Sequence, residues 1–592
     1  MSWLPDMGTP GRDRCPKRRR AAGRVRAAAA GAMALALAFA ATACSSPLGL
    51  PSHGLVQTMA PVERQDHRVY TSPEGPSRDA QPEGIVAGFI DAIPSGVQSD
   101  GFRVARQFLT KKAAQEWHAD EGVTVYGGTP DFRRRANTMD DDGSIVVEMT
   151  LQSVGTLDKH GSYTPNPSGQ TATMTFVLAR SSGQWRIDDL PDGVAVASAD
   201  FDQVFRQVSV YRVDAAGERL VPDVRWLSWR NWRTQAVRET LDDAPAWLDN
   251  AVMDLNDGGT RLDIESVTVE DNLAQVRLDG SLADLDAGHR ALLVRCIRLT
   301  LGDGNVDYGV HVTSSGEDYS DADREVSLAV SLPDDGVFTL TGGRVVSLRS
   351  SSPLRVAQTA GFADARGFVW TNGGGAVLRA DGVAECLDGD GASCGAMFDG
   401  ERLSSVGAGL DGEIWGVSAD GKALVVSHAG QSMRFTLPWL GSGAVRALAV
   451  SPEGTRLALA IEGGAHGGVA LLSVARGGKG MPSGVGTEVA QVSAHDDVRM
   501  LTFYNDLMLV YVVGDPENAR EDGQHAYRQI VPGPDQSQRL PDSAVTAIAS
   551  GQIALYRRLA VLDDLGIVRS VSGSLDGAWS IADSQVTALG AQ

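Results

Sequence analysis

Residues 445–464 read VRALAVSPEGTRLALAIEGG. Two short apolar runs flank Ser451-Pro452-Glu453-Gly454, and a Gly-Gly pair follows. Runs of this length between turn residues read as two strands about a turn. GFVWTNGGGAVLRADG (367–382), GEIWGVSADGKALVVSHAG (412–430) and GAWSIADSQVTALG (577–590) vary the same unit. Three carry a tryptophan in the first run: Trp370, Trp415 and Trp579. Asp-Gly turns recur at Asp381-Gly382, Asp411-Gly412, Asp420-Gly421 and Asp576-Gly577.

Such units fill the chain from about residue 330 to 592. Ser-Pro-Glu-Gly resembles the Ser-Pro-Asp-Gly turn of propeller blades. About 260 residues at roughly 40 to 45 per blade predict an all-β propeller of about six blades. A strand near the C-terminus is expected to pair with one near residue 337 and close the ring. An array of β-sandwiches is the alternative.

Two α+β units precede the repeats. In residues 83–197, Ile85, Val86, Phe89, Ile90 and Ile93 recur at helical spacing. A second helix is expected from Asp100, with Val104, Phe108 and Trp117 near one face. The period then becomes two in SIVVEMTLQSVGTLD (144–158) and QTATMTFVLARSSGQWRIDDL (170–190). Helices followed by this meander resemble the nuclear-transport-factor-2-like (NTF2-like) fold, which implies a cone-shaped pocket. His118, Asp131, His160 and Asp188 are candidates for it, and surface placement is the plainer reading of each.

In residues 198–325, VFRQVSVYRVD (204–214) and ERLVPDVRWL (218–227) read as strands. NWRTQAVRETLDD (231–243) reads as a helix that APAWLDNAVMDL (244–255) extends. A hairpin is expected to turn at Asp271-Asn272. AGHRALLVRCIRLTLGD (287–303) reads as a helix grouping Leu292, Cys296 and Leu299, and VDYGVHVTS (306–314) as a strand. The order resembles the GerMN domain, an interaction module, with Ala244-Pro245 where that family has Gly-Pro.

The chain opens on an export pattern. Lys17, Arg18, Arg19, Arg20, Arg24 and Arg26 precede an uncharged run, 27–43, that ends in Ala-Thr-Ala-Cys44. The run is short for a permanent membrane span. Ala-Thr-Ala-Cys resembles a bacterial lipobox, with Ala41 where the pattern has leucine. That resemblance implies cleavage after residue 43, S-diacylglycerol and an N-acyl (palmitate) chain on Cys44, and an anchor at the extracytoplasmic face of the cell membrane. Residues 44–82, rich in Pro, Ser and Gly, read as a flexible tether.

Residues 1–43 hold eight Arg and Lys and two Asp, so the remaining chain has 45 basic and 72 acidic residues, a net charge of −27. That balance disfavours nucleic acid, whose affinity rests on phosphate neutralisation. Cys386 and Cys394 flank a Gly/Asp-rich loop, a spacing that permits a small disulfide in an exported protein. Cys296 reads as a core residue.

No chemistry-bearing motif stands out. The ten histidines include no His-Glu-x-x-His, and the phosphate-cradling Gly-x-x-x-x-Gly-Lys-Ser/Thr pattern is missing. Asp303, Asn305 and Asp307 have calcium-loop spacing, but Ser314 stands where a bidentate Glu is required. No cofactor, metal ligand or catalytic residue is predicted. RWLSWRNWR (225–233) interleaves Trp226, Trp229 and Trp232 with arginines. Core and domain-interface packing is the plainer reading; a protein-contact hot spot is the sharper one.

Lipobox, α+β domain, GerMN-like domain and degenerate propeller, in that order, resemble the LpqB lipoprotein family. GQWRIDDLPDG (183–193), ERLVPDVRWL and SPEGTRLALA (451–460) are similar to its recurrent segments. The resemblance implies a non-enzymatic accessory to a two-component system of the MtrA/MtrB type. Such a protein binds the ectodomain of the sensor histidine kinase and tunes signalling in cell-wall homeostasis and cell division. The alternative is a protein that binds or processes cell-wall polymer, with its site in the NTF2-like cone or the propeller channel.

Overall fold

The computed structural model describes residues 73–135, 143–328, 336–349, 352–353, 362–371, 373–477, 480–514, 523–553, 556–571 and 574–591. Cys15, Cys44 and the export pattern lie outside the described residues.

The first domain is α+β. Helix α1, Pro82–Ser95, starts with proline in its first turn and buries Ile85, Val86, Phe89, Ile90 and Ile93. It packs on a sheet of order β5-β4-β2-β1-β6, made of β1 (Gly122–Arg134), β2 (Ile145–Asp158), β4 (Thr171–Ser181), β5 (Gln184–Asp189) and β6 (Val194–Ala197). The short β3, Tyr163–Pro165, adds to β2. All pairs are antiparallel except β1–β6, which is parallel.

The expected second helix is broken into pieces. Asp100 accepts from the amides of Arg103 and Val104, both at 3.2 Å, but the turn it starts is short. Gly101 and Phe102 both sit at φ +64°, outside the right-handed helical region, and separate Gly96–Asp100 from the tight turn Ala105–Phe108. Thr110 then caps a new helix, α2, Lys111–Glu116, accepting from Ala113 N at 3.3 Å. Val104, Phe108 and Trp117 still share the core with α1.

The second unit begins with a ribbon of β7 (Phe205–Val213) and β8 (Leu220–Ser228), paired antiparallel from Phe205↔Ser228 to Val213↔Leu220. Helices α3 (Trp232–Leu241) and α4 (Ala287–Leu301) pack on β7. The continuation of α3 through 244–255 is replaced by turns and the three-residue helix Asp249–Ala251. Proline at 245 disfavours the α conformation at Ala244. A sheet of order β12-β11-β10-β9 completes the unit, from β9 (Thr268–Glu270), β10 (Leu273–Leu278), β11 (Val310–Ser314) and β12 (Glu317–Asp318). The hairpin β9–β10 turns at Asp271 and Asn272, with φ of +50° and +66°. β10 and β11 run parallel because α4 crosses between them. Cys296, on α4, is buried, and burial pushes its thiol up to about 12.

Residues 336–591 form six four-stranded antiparallel blades. The inner strands of blades 2 to 6 are Ala365–Thr371, Leu403–Ala408, Ala444–Val450, Val498–Phe503 and Val545–Ile553. Blade 1 closes the ring: its inner strand is the C-terminal Val586–Ala591, paired from Val337↔Ala591 to Thr341↔Val586. The four stretches that look alike in sequence occupy different places. Residues 367–382 and 445–464 are first and second strands, 412–430 second and third, and 577–590 an outermost strand and the next inner one. Trp370, Trp415 and Trp579 are therefore not equivalent. In blades 2 to 6 every neighbour is an antiparallel strand adjacent in the chain, so period and turn residues do not number the strands.

Candidate functional site

Strand β8 holds the molecule together. One part faces the first domain. Trp226 N donates to Gly161 O at 2.8 Å, and Arg225 donates to Ser162 Oγ at 2.6 Å. Another part faces the propeller. Trp226 Nε1 donates to Pro532 O at 3.0 Å, and its indole lies so close to Gly533 that a Cβ there would stand 2.6 Å from the ring. The other side of the indole meets Phe201, centroids 5.0 Å apart. The loop after α3 adds Asn250, whose Oδ1 accepts from Ser473 Oγ at 2.7 Å, and Trp247, which packs on the propeller core.

A buried charge ladder runs beneath this junction. Asp223 accepts from Arg212 Nε at 3.2 Å and from Arg225 Nε and Nη2 at 3.1 and 2.8 Å. Burial alone would raise the Asp223 carboxyl; the Arg225 and Arg212 guanidiniums outweigh it and hold the group below its ordinary range. Glu239, on α3, faces Arg225 Nη1 at 3.6 Å and His160 Nδ1 at 3.1 Å. Its carboxyl is pushed up, first by burial, against the opposing pull of Arg225 and His160. The propeller answers with a second buried pair. In the Ser-Pro-Glu-Gly turn, Glu453 Oε1 accepts from Ser451 Oγ and Arg456 Nε, both at 2.6 Å, and Arg456 reaches Pro222 O of β8 at 3.4 Å.

The three tryptophans do different work. Trp226 is spent on the junction. Trp232 opens α3 and is buried in the second core. Trp229 precedes the helix and is half-buried; Arg206 of β7 lies over both Trp229 and Trp232, at 5.0 and 4.4 Å. The four candidate polar residues of the first domain are dispersed. His118 pairs with Asp192 at 3.5 Å, Asp131 with Arg133 at 2.6 Å, and Asp188 accepts from Thr110 at 2.8 Å. Only His160 joins a cluster. His160, Glu239 and Asp242 bring ligand atoms within 4.8 Å of one another, but Arg225 already faces the shared carboxylate. Asp303 pairs with Arg206, Asn305 accepts from Asp307 N at 2.9 Å, and Ser314 is paired in β11. Asp303, Asn305 and Asp307 lie in an acidic turn. Cys386 and Cys394 are joined in a disulfide, Cα atoms 5.1 Å apart, across the third and fourth strands of blade 2.

Two cavities matter. One, about 460 Å³, lies between the first domain and β8, lined by Phe102, Arg106, Trp117, His118 and Trp226 among others. The propeller channel holds about 500 Å³. Its lining is neutral, apart from Arg366, Arg446 and Arg499, and includes no carboxylate or histidine among the described residues.

Two family models match the chain: the N-terminal domain of lipoprotein LpqB over residues 75–202 and the LpqB beta-propeller domain over residues 350–581. Lipoprotein LpqB of Bifidobacterium longum is 57% identical over 93% of this chain and 96% of its own. The chain belongs to the LpqB lipoprotein family. The LpqB of Nocardia farcinica is 25% identical over 71% of this chain and 75% of its own. Among solved structures, virginiamycin B lyase from Staphylococcus aureus shares 13% identity over 38% of this chain and 86% of that one, at a TM-score of 0.26. No helix among the described residues is long and apolar enough to cross a membrane.

Proposed function

We propose that this chain is an extracytoplasmic binding lipoprotein, anchored through acylated Cys44, that contacts the ectodomain of an MtrB-type sensor kinase and tunes its output. In this reading the second unit is a GerMN-like interaction module and the first an NTF2-like one. The observation that carries it is the channel lining. A propeller enzyme needs convergent acid and base groups at its axis; this axis offers neutral side chains and three arginines among the described residues. A rigid frame presenting loops to a partner suits binding.

Calorimetry tests the reading. The chain from Ser45 onward is titrated against the purified ectodomain of the cognate kinase. Saturable binding is expected. No heat, with both proteins folded and monodisperse, overturns the partner and leaves wall polymer as the ligand to try.

A further inference from the structure

The six inner strands share one irregularity. The pairing of each with its neighbour slips by a residue near its start, at Arg366, Ser404, Arg446, Arg499, Thr546 and Thr587. Such a bulge re-aims a side chain out of the regular alternation. Five of the six, all but Thr587, line the channel. The same depth of the ring therefore carries three guanidiniums, one hydroxyl of serine and one of threonine. We propose that this bulge ring is a binding site for a phosphate-bearing anion at the channel mouth.

Strand direction places the mouth. Inner strands start at the bulge and end in the turns to the second strands; 444–450 runs into Ser451–Gly454 and Arg456, which meets β8. The ring thus lies on the face opposite the one on which β8 docks. Charge supports the site. The chain is strongly acidic, yet the only charged lining residues of the channel are these three arginines. Arg446 pairs with Glu462 and Arg499 with Asp497, carboxylates that stand outside the lining. Each pair can take at most part of a guanidinium's five donors. Arg499 Nε is buried with no hydrogen-bond partner, and Arg366 is exposed with no ion-pair partner among the described residues. Guanidiniums and hydroxyls spread around one axis suit a tetrahedral oxyanion with several acceptor oxygens better than a single planar carboxylate.

The site shares its channel lining with the kinase reading, but the phosphate probes need no kinase, so either can fail without the other. The experiment is a calorimetric titration of the chain from Ser45 onward with inorganic phosphate, pyrophosphate and tripolyphosphate, with citrate as the carboxylate control. Saturable binding is expected for at least one phosphate probe, weakened tenfold or more in R366Q and in R499Q and less in R366K. Binding only to the longer probes points to a chain phosphate, and binding to inorganic phosphate to a free one; both support the site. R366Q changes an exposed side chain, so an unchanged unfolding temperature separates lost binding from lost fold. No saturable heat with any phosphate probe, equal binding by R366Q and R499Q, or citrate binding as tightly as the phosphates would each overturn the proposal.

Discussion

The two faces of the propeller are built on opposite rules. On the docked face, Arg456 is fully buried and its guanidinium is shared by Glu453, Pro222 O and Asp506 O. Below it, Arg225 divides its donors among Asp223, Ser162 and His160 O. On the opposite face, Arg366 is exposed and unpaired among the described residues, and Arg446 and Arg499 each have one carboxylate from outside the channel. Arg225 and Arg456, in the interior, fasten domains; arginines at the free mouth keep donors to spare. The same residue type thus separates structural from binding surface by how many of its donors are already taken.

The comparison breaks hardest at Asp223. D223A leaves Arg212 and Arg225 buried without their shared carboxylate, and removing one member of a buried pair costs about 3–5 kcal/mol. Chemical denaturation is expected to show that loss at neutral pH. It should shrink in acid, because a carboxyl lowered in the fold stabilises only above its unfolded pKa, near ~3.9, and that contribution fades as pH falls through the folded value. A loss under 1 kcal/mol would mean that the ladder does not hold the ribbon. Next comes W226A. Truncating a buried tryptophan costs about 3–5 kcal/mol, here divided among three bodies of the molecule. Scanning calorimetry should resolve the propeller transition from that of the first two domains. A single transition, merely shifted, would show that Trp247 and Asn250 suffice for docking.

The propeller and the α+β character of the first domain were legible because they rest on local pattern. Residues 445–464 alternate about a turn whatever surrounds them, and α1 shows its buried stripe at helical spacing. What local pattern could not show is partner choice. Trp226 meets Pro532 across 306 positions of sequence, and nothing near either residue announces the other. RWLSWRNWR pointed to core and interface packing, but not that a strand end would send Trp226 to the propeller while Trp229 and Trp232 share Arg206 in the second unit. Two positive-φ residues, Gly101 and Phe102, were enough to break a helix that apolar spacing alone supported. The bulge ring was hidden for a related reason. Arg366, Arg446 and Arg499 each follow the first residue or two of an inner strand, but alternation assigns a bulged side chain to the wrong face. Arginine just inside the start of successive inner strands was the available signal.

Smaller effects sharpen the contrast. The Cys386–Cys394 bond closes a loop across a separation of eight residues, worth about 2–3 kcal/mol by loop entropy. C386S/C394S should lower propeller stability by about that much and leave the β8 junction untouched. A change in the first-domain transition would contradict the local role assigned to the bond. The smallest effect is at Glu239. Its carboxyl is raised in the fold, chiefly by burial, so the protonated form is favoured there. The group's contribution is fully present below its unfolded pKa, near ~4.3. It declines as pH rises through the higher folded value. E239Q removes that slope while keeping an oxygen that can accept from Arg225. The stability of the unsubstituted chain relative to E239Q should therefore fall as pH climbs from about 4.3. A difference that rises over that range would mean that Arg225 and His160 dominate burial, and that Glu239 belongs with Asp223 as a fastening charge. A divalent cation seated at His160, Glu239 and Asp242 would give a third signature, a rise in unfolding temperature on adding zinc. None is expected while Arg225 faces the shared carboxylate.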